Sequence, residues 1–196
     1  MKRKIGITLV ALGLALIIFA VGLLIYNNYE NKRAEAYAAD VINKMVDVIK
    51  QNKNSSTEKD PFDEEMKVVE IDGYGYIGYI SIPGFNLNLP VMSEWDYSRL
   101  KISPCRYYGS TKTDNLVICA HNFNSHFGYI GKLEPDMAVS FTDMEGEITE
   151  YSVVSVEILQ PTDTDKVKDT GDDLIVYTCT YGGRTRIAVR CEKTEK

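Results

Sequence analysis

The sequence has no excess of basic residues. Its 196 residues include 22 lysines and arginines against 28 aspartates and glutamates, which gives a net charge of −6. Binding to nucleic-acid phosphates demands a basic face, so this balance argues against a nucleic-acid-binding protein. The acidity indicates a well-solvated surface, and it also leaves open an attraction for basic or amine-bearing partners.

Cysteine and histidine are sparse as well. The four cysteines and two histidines lie far apart, with no Cys-x-x-Cys pair and no histidine at zinc-ligand spacing. A structural zinc site is therefore not expected. No segment repeats at a fixed period, so a repeat architecture is not expected either.

The sequence begins with a long apolar run. Residues 5–26 carry no charge, and as a helix they span about 33 Å, enough to cross the hydrocarbon core of a membrane. A cleavable signal peptide is the alternative, but its apolar core is shorter, roughly 7–15 residues. Three basic residues at positions 2–4 place the N-terminus in the cytoplasm. We predict a single-pass protein of the cell membrane with an extracellular domain.

The remaining chain divides by pattern. We predict these parts: a cytoplasmic tail at 1–4, a transmembrane anchor at 5–26, a helical stalk and linker at 27–72, and a catalytic domain at 73–196. In the stalk, apolar residues recur at helical spacing at Tyr37, Val41, Met45, Val48 and Ile49. This helix either spaces the domain from the membrane or packs its apolar face against the domain. Residues 52–61 are polar and have no periodicity, which is typical of a linker.

After residue 73 the pattern changes to short strands separated by turn residues. Apolar residues alternate or cluster in the following segments: 76–82, 87–92, 115–120, 137–142, 148–159, 174–179 and 186–191. Roughly seven or eight strands with little helix indicate an all-β domain, either a closed barrel or a sandwich.

Two candidate reactive residues stand where strands end. His121 follows the apolar segment 115–120, and Cys179 ends the segment 174–179. Loops held by a rigid sheet are where catalytic residues concentrate. An ionised cysteine is a good nucleophile, and a nearby imidazolium or guanidinium favours its ionisation. Taken singly, each has a simpler interpretation, namely a hydrogen-bonding surface histidine and a buried inert cysteine.

Arg186 begins the strand that follows Cys179 across a short loop. Antiparallel pairing of the two strands would bring these side chains together. An arginine in that position can donate hydrogen bonds to an oxyanion. Arg184 and Arg190, by contrast, are expected to lie on a solvated face.

The other three cysteines fit the inert interpretation better. Cys191 shares the apolar face of its alternating strand, and Cys119 lies inside its strand. Cys105, next to Pro104, falls in a segment without a readable pattern.

Taken together, these segments resemble the sortases, the membrane-anchored cysteine transpeptidases of mostly Gram-positive bacteria. The similarity runs from about Gly78 to Cys191. IGYISIPGFNLNLPVM resembles the opening pair of strands, NLVICAHN and FGYIGKL are similar to the strand–histidine loop and its continuation, and ITEYSVVSVEILQPTD resembles the strand before a Pro-x-Asp turn. YTC followed by RIAVR resembles the threonine–cysteine motif and the arginine strand. The order of histidine, Thr-Cys and arginine behind an N-terminal anchor is more specific than any one piece.

The resemblance implies a closed eight-stranded sortase-like β-barrel with short helices. It makes Cys179 the nucleophile, His121 its proton-transfer partner and Arg186 the oxyanion donor or substrate-orienting residue. It further implies cleavage of an LPxTG-like sorting signal through a thioester, transfer to an amine of a cell-wall precursor or a pilin, and no cofactor. Three neighbours of the reactive residues are expected to contact the substrate: Thr178, Ala120 and Asn122.

Two departures from the family pattern leave the subclass open. Residues 175–179 read Ile-Val-Tyr-Thr-Cys where Thr-Leu-x-Thr-Cys is familiar, and Ala120 precedes the histidine where glycine is usual. The segment 160–173 is too short for the long helical insertion of class B. Its aspartates offer a Ca²⁺ site of the kind found in some sortases, although a solvated acidic loop is the simpler interpretation: Asp163, Asp165, Asp169, Asp172 and Asp173.

Other functions fit the pattern less well. A sortase-fold, membrane-anchored substrate-binding or assembly protein without turnover would not need all three reactive residues. Papain-like peptidases place the cysteine before the histidine, the reverse of the order here. The L,D-transpeptidases share the order, but their Ser-His-Gly-Cys signature is missing from the sequence.

Overall fold

The computed structural model describes residues 2–54 and 65–194. The chain divides into two compact units, Met1–Arg33 and Ala34–Lys196, and one helix, α1 (Lys2–Asn54), contributes residues to both. Among the described residues, the helix over Ile5–Asn52 is long and apolar enough to cross a membrane. The predicted linker at 52–61 falls mostly on residues 55–64, which lie outside the described residues.

The second unit contains a single sheet. Over residues 65–194 its strands are β1 (Val69–Ile71), β2 (Tyr74–Ile82), β3 (Leu87–Met92), β4 (Cys105–Tyr108), β5 (Leu116–Ala120), β6 (Ala138–Asp143), β7 (Ile148–Leu159), β8 (Leu174–Cys179) and β9 (Arg186–Lys193). Eight of them close in the order β2-β3-β4-β5-β8-β9-β7-β6, and β6 pairs back onto β2. The short β1 adds to β2 outside this ring. The predicted closed eight-stranded barrel is confirmed.

Strands β5 and β8 are central to the barrel. Every residue of β5 is buried: Leu116, Ile118 and Ala120 belong to the interior cluster, whereas Val117 and Cys119 pack on the outer face. A strand covered on both faces needs apolar residues at successive positions rather than in alternation. The continuous apolar run in the sequence reflects this double burial.

Strand β4 was not predicted, and its local sequence explains why. It follows Pro104, reads Cys-Arg-Tyr-Tyr, and contains a register shift between Arg106 and Tyr108. Such an irregularity removes the strict alternation by which a strand is recognised. Cys105, which the sequence left unplaced, is a buried residue of this strand.

Residues 34–52 of α1 pack on the outer face of the barrel. Val41, Met45 and Ile49 are buried four residues apart and belong to the same cluster as Tyr76 and Cys119. The hydroxyls of Tyr37 and Tyr76 are hydrogen-bonded at 2.9 Å. This part of the helix therefore takes the second of the two roles left open for it. The predicted boundary at residue 73 stays a prediction, and both this helix segment and β1 precede it.

Replacing Met45 with alanine should destabilise this unit. Met45 is fully buried against the barrel, so Met45→Ala should lower the free energy of unfolding by about 2–5 kcal/mol. The exposed Asn43 on the same helix provides the control, because Asn43→Ala should change it by less than about 0.5 kcal/mol. Denaturant unfolding of the full chain in detergent, followed by fluorescence of the single tryptophan, measures both. Equal stability of the two variants would contradict this packing.

Candidate active site

The ends of β5, β8 and β9 lie side by side on the barrel. Ala120 pairs with Thr178 in the parallel β5–β8 ladder, and Cys179 pairs with Arg186 in the antiparallel β8–β9 ladder. His121 follows Ala120 directly, and Cys179 follows Thr178, so the two residues come next after a paired position of the ladder. The fold brings together the strand ends that carry the three predicted reactive residues.

Alternation along β8 directs Cys179 away from the barrel interior. Leu174 and Val176 belong to the interior cluster, whereas Ile175 and Tyr177 pack in the clusters on the outer face. Cys179, two residues after Tyr177, shares the outer face and is half-buried. Its thiol therefore lies where an extended substrate can approach.

The other three thiols are sealed inside the protein. All four cysteines are free, but Cys105, Cys119 and Cys191 are at most 3% exposed. Burial raises the pKa of Cys105 and Cys191 to about 12 and also raises the pKa of Cys119. Because the thiolate is the nucleophilic form, these three are poor nucleophiles. The predicted burial of Cys119 and Cys191 is confirmed.

Thr178 joins the two strands that carry the reactive residues. Its Oγ1 donates a hydrogen bond of 2.8 Å to the carbonyl oxygen of Ala120, and both side chains are buried. This bond fixes β8 to β5 one residue before Cys179 and His121. Asn122 is half-buried at the start of the following loop. Substrate contact by these three residues stays a prediction.

The environment of His121 favours the neutral form of its imidazole. Burial lowers the pKa of its imidazole, and the positive charge of Lys101 lowers it further. Within residues 2–54 and 65–194, Nε2 has no hydrogen-bond partner. The ring of Phe123 stacks on the imidazole with 4.9 Å between centroids and 25° between planes. A neutral imidazole held in this way can accept a proton from a thiol.

The loop after β5 folds back tightly on His121. The backbone N–H of Phe127 donates to the His121 carbonyl at 3.1 Å, and the N–H groups of His126 and Gly128 both donate to the Phe123 carbonyl at 2.9 Å. A Cβ at Gly128 would lie only 2.7 Å from that same carbonyl oxygen, so the close approach requires glycine. These bonds hold Phe123 against the histidine.

His126 lies behind Phe123 and is buried. Its ring centroid is 5.6 Å from that of Phe123, and in the described part of the chain neither ring nitrogen has a hydrogen-bond partner. Burial lowers the pKa of His126 to about 4; nearby His121 adds to the effect, and the Ile102 backbone opposes it. The sequence offered no reason to separate this histidine from any other loop residue.

Arg186 is fixed by the loop between β8 and β9. Its Nη1 donates to the carbonyl oxygens of Gly183 and Thr185, each at 3.1 Å. The loop is closed by Thr180, whose Oγ1 accepts from the Thr185 N–H at 3.1 Å. Since both Arg186 bonds use Nη1, the Nε and Nη2 groups can donate to a substrate oxygen.

A cavity of about 220 Å³ lies on the outer face beside Arg186. Its walls are mainly aromatic and aliphatic, and they include Trp95, Tyr107, Leu159, Val167, Tyr177 and Arg186. The rings of Tyr107 and Tyr177 meet edge to face at 5.5 Å. Alternation from Cys179 could have indicated Tyr177 from the sequence. Trp95 and Tyr107 gave no such signal, because they come from distant segments.

Several aspartates of segment 160–173 bind protein partners. Asp163 accepts from Lys166 at 3.2 Å, Asp169 from Tyr108 at 2.7 Å, and Asp172 pairs with Arg190. In the described residues, no group of three or more His, Cys, Asp or Glu could hold a metal ion.

His126 should make the stability of the protein depend on pH. Its pKa is about 4 when folded and 6.5 when exposed. Between these values only the unfolded chain binds the proton, so acidification should cost about 3 kcal/mol of stability. The cost begins below pH 6.5 and levels off near pH 4. His126→Phe should remove this loss, as measured by denaturant unfolding in detergent from pH 6.5 to 4. Parallel pH dependences for the two chains would contradict the assignment.

Solved structures with this fold are sortases. Sortase C of Streptococcus pneumoniae matches with a TM-score of 0.60 and 19% identity, over 80% of this chain and 97% of that chain. A lid mutant of sortase A from Corynebacterium diphtheriae matches with 0.56 and 20%, over 81% and 96%. Sortase C from Clostridium perfringens with its C-terminal cell wall sorting motif matches with 0.55 and 22%, over 80% and 91%. At these identities the likeness establishes the fold alone.

A comparison with curated proteins found no match. The family model of the sortase domain matches residues 80–194, more than half of the chain. The matched region contains β5, β8 and β9 together with the three residues at their ends. The chain therefore belongs to the sortase family.

Proposed function

We propose that this chain is a membrane-anchored cysteine transpeptidase. It would cleave an LPxTG-like sorting signal through a thioester on Cys179 and pass the acyl group to an amine of a cell-wall precursor or a pilin. The observation that supports the proposal is the strand register: Cys179 pairs with Arg186, and Thr178 and Ala120, the residues before Cys179 and His121, pair with each other. A nucleophile, a proton carrier and an oxyanion donor form an acyl-transfer set.

Two related proteins support the choice of substrate. The Clostridium perfringens sortase C was solved with a C-terminal cell wall sorting motif, and the Streptococcus pneumoniae sortase C structure concerns pilin substrate specificity. The cavity beside Arg186 has the aromatic and aliphatic walls suited to the apolar residues of such a peptide.

Formation of the thioester begins with the transfer of the Cys179 proton to neutral His121. The thiolate attacks the carbonyl carbon of the threonine in the sorting signal, and Arg186 donates hydrogen bonds to the resulting oxyanion. The carbon–nitrogen bond then breaks, and the imidazolium protonates the leaving amine. Since burial lowers the pKa of His121, this imidazolium is a stronger acid than an exposed one.

Transfer to the acceptor runs through the same groups in reverse. A neutral amine attacks the thioester carbonyl while His121, again neutral, takes the proton that the amine loses. The carbon–sulfur bond breaks, and Cys179 leaves as a thiolate that recovers a proton from the imidazolium. The amide bond formed in this step replaces the one that was cleaved.

The helix over Ile5–Asn52 supports anchoring in the cell membrane. The basic residues at positions 2–4 favour a cytoplasmic N-terminus. This orientation would put the barrel outside the cell, where sorting signals and cell-wall amines are present.

Replacing the nucleophile should abolish acylation. The full chain in detergent is incubated with a library of LPxTG-type peptides and an amine acceptor, and mass spectrometry locates the thioester. Cys179→Ala should form no adduct and no transpeptidation product, since the remaining thiols are buried. Cys191→Ala, which replaces one of those buried thiols, should keep the thioester.

Transpeptidation by Cys179→Ala would refute the central claim. If the unaltered chain binds peptides but forms no adduct with any of them, the assembly role without turnover is favoured instead.

Replacing Arg186 with lysine should slow acylation while the thiol remains in place. Lysine lacks the planar donor fork, and loss of an oxyanion donor lowers kcat about 100-fold or more. Arg184 in the same loop is exposed, so Arg184→Lys should be neutral. Single-turnover thioester formation measures both variants. Equal rates for the two would exclude Arg186 from the reaction.

A further inference from the structure

Arg190 is a half-buried arginine with no part in the proposed chemistry. It lies on β9 four residues after Arg186, and its side chain is 14% exposed. The expectation that it lies on a solvated face is therefore wrong, whereas Arg184 is exposed as expected. A guanidinium this buried must satisfy its donors within the protein.

The guanidinium of Arg190 connects three parts of the chain. Nε donates to Glu157 of β7 at 2.5 Å, and Nη2 donates to the carbonyl oxygen of Lys166 at 2.8 Å. Nη1 donates to Thr170 at 3.3 Å and pairs with Asp172. Arg190 thus fixes the segment 160–173 to β7 and β9.

The segment 160–173 contains no strand, so side chains hold most of it in place. A single short 3₁₀ turn, Thr164–Val167, lies within it. Its second attachment is Asp169, which accepts hydrogen bonds from Tyr108 at 2.7 Å and Asn115 at 3.3 Å. Asp173, whose carbonyl accepts from the Leu116 N–H at 3.1 Å, adds a further attachment, so losing Arg190 should shift the segment rather than release it.

The same segment lines the cavity beside Arg186. It contributes Pro161, Asp163, Thr164 and Val167 to that lining, which also includes Tyr177. Val167 is buried in the outer-face cluster with Leu159 and Ile175. The width of the cavity therefore depends on where the segment sits, and Arg190 contributes much of that placement.

We infer that Arg190 is a positioning residue that determines which sorting signals fit the cavity beside Arg186. The inference rests on the proposed function, and its ligand class is an extended peptide with apolar side chains. Without the guanidinium, Glu157 and Asp172 would be left as partly buried carboxylates without their shared cation. Their repulsion would displace the segment and change the cavity wall. Lysine cannot replace the fork, because one ammonium cannot reach all these acceptors.

The test uses the full chain in detergent with Arg190→Lys and Arg190→Met. Their control is Arg184→Met in the exposed loop. Acylation is measured against peptides that differ in the apolar residues of the sorting signal. Both Arg190 variants should raise KM about tenfold for the best peptide, because small displacements in a site are costly. They should keep kcat within about twofold, because the reacting groups are untouched, and change the ranking of the peptides.

A merely structural role for Arg190 would lower activity equally for all peptides. Unchanged KM and ranking, or an equal loss across the library, would overturn the inference. If Arg190→Met does not fold, Arg190→Lys and Glu157→Gln decide the outcome by the same readouts.

Hydrogen exchange separates failure of this inference from failure of the proposed function. Backbone amides of residues 160–173 should exchange faster in Arg190→Lys than in the unaltered chain and in Arg184→Met. If the unaltered chain forms no thioester with any peptide, the proposed function fails while faster exchange still supports the positioning role. Unchanged exchange in Arg190→Lys overturns that role whether or not the chain is active.

Discussion

The parallel ladder between β5 and β8 fixes the relative position of the strand ends that precede His121 and carry Cys179. Leu116–Ala120 pair one for one with Leu174–Thr178, and the Thr178 hydroxyl locks the last pair. Side chains alternate between the faces of a strand, so a slip of one residue would turn Cys179 into the barrel and break its alignment with His121. The β8–β9 ladder then adds Arg186 in the same row. The positions of these side chains at the surface depend on the register of the strands in the barrel.

The two faces of β8 contact different parts of the protein. The inner face of β8 contributes Leu174 and Val176 to the barrel core, while its outer face contributes Tyr177 to the cavity and carries Cys179. The outer face is covered elsewhere by α1, which buries Cys105 and Cys119. Cys179 is the accessible thiol because the other three cysteines are buried. Burial alone distinguishes the four, and no unusual intrinsic reactivity of Cys179 needs to be assumed.

Much of this arrangement could be predicted from local patterns. The bounds of β3, β7 and β8 follow from apolar runs and turn residues, and hairpin pairing of Cys179 with Arg186 follows from a short loop. What could not be predicted depends on contacts between distant segments. The stacking of Phe123 on His121 requires the folded loop. The hydrogen bonds of Arg190 to Glu157 and Lys166 require β7 and segment 160–173 to meet. A charged residue in an alternating strand is predicted to be solvent-exposed when its ion-pair partners lie elsewhere in the chain, because the local pattern does not show them.

The hydrogen bond between Thr178 and Ala120 joins residues 58 positions apart. Between them lie β6, β7 and segment 160–173, so the two reactive strands meet only after a long intervening stretch of chain has been ordered. Parallel pairing of this kind forms late in folding, because closing a large loop costs conformational entropy before the two strands make any stabilising contact. In a partly synthesised chain the strand ends that carry His121 and Cys179 are therefore apart, and they meet only when the barrel is complete. The proposed acyl transfer would then require a fully folded barrel.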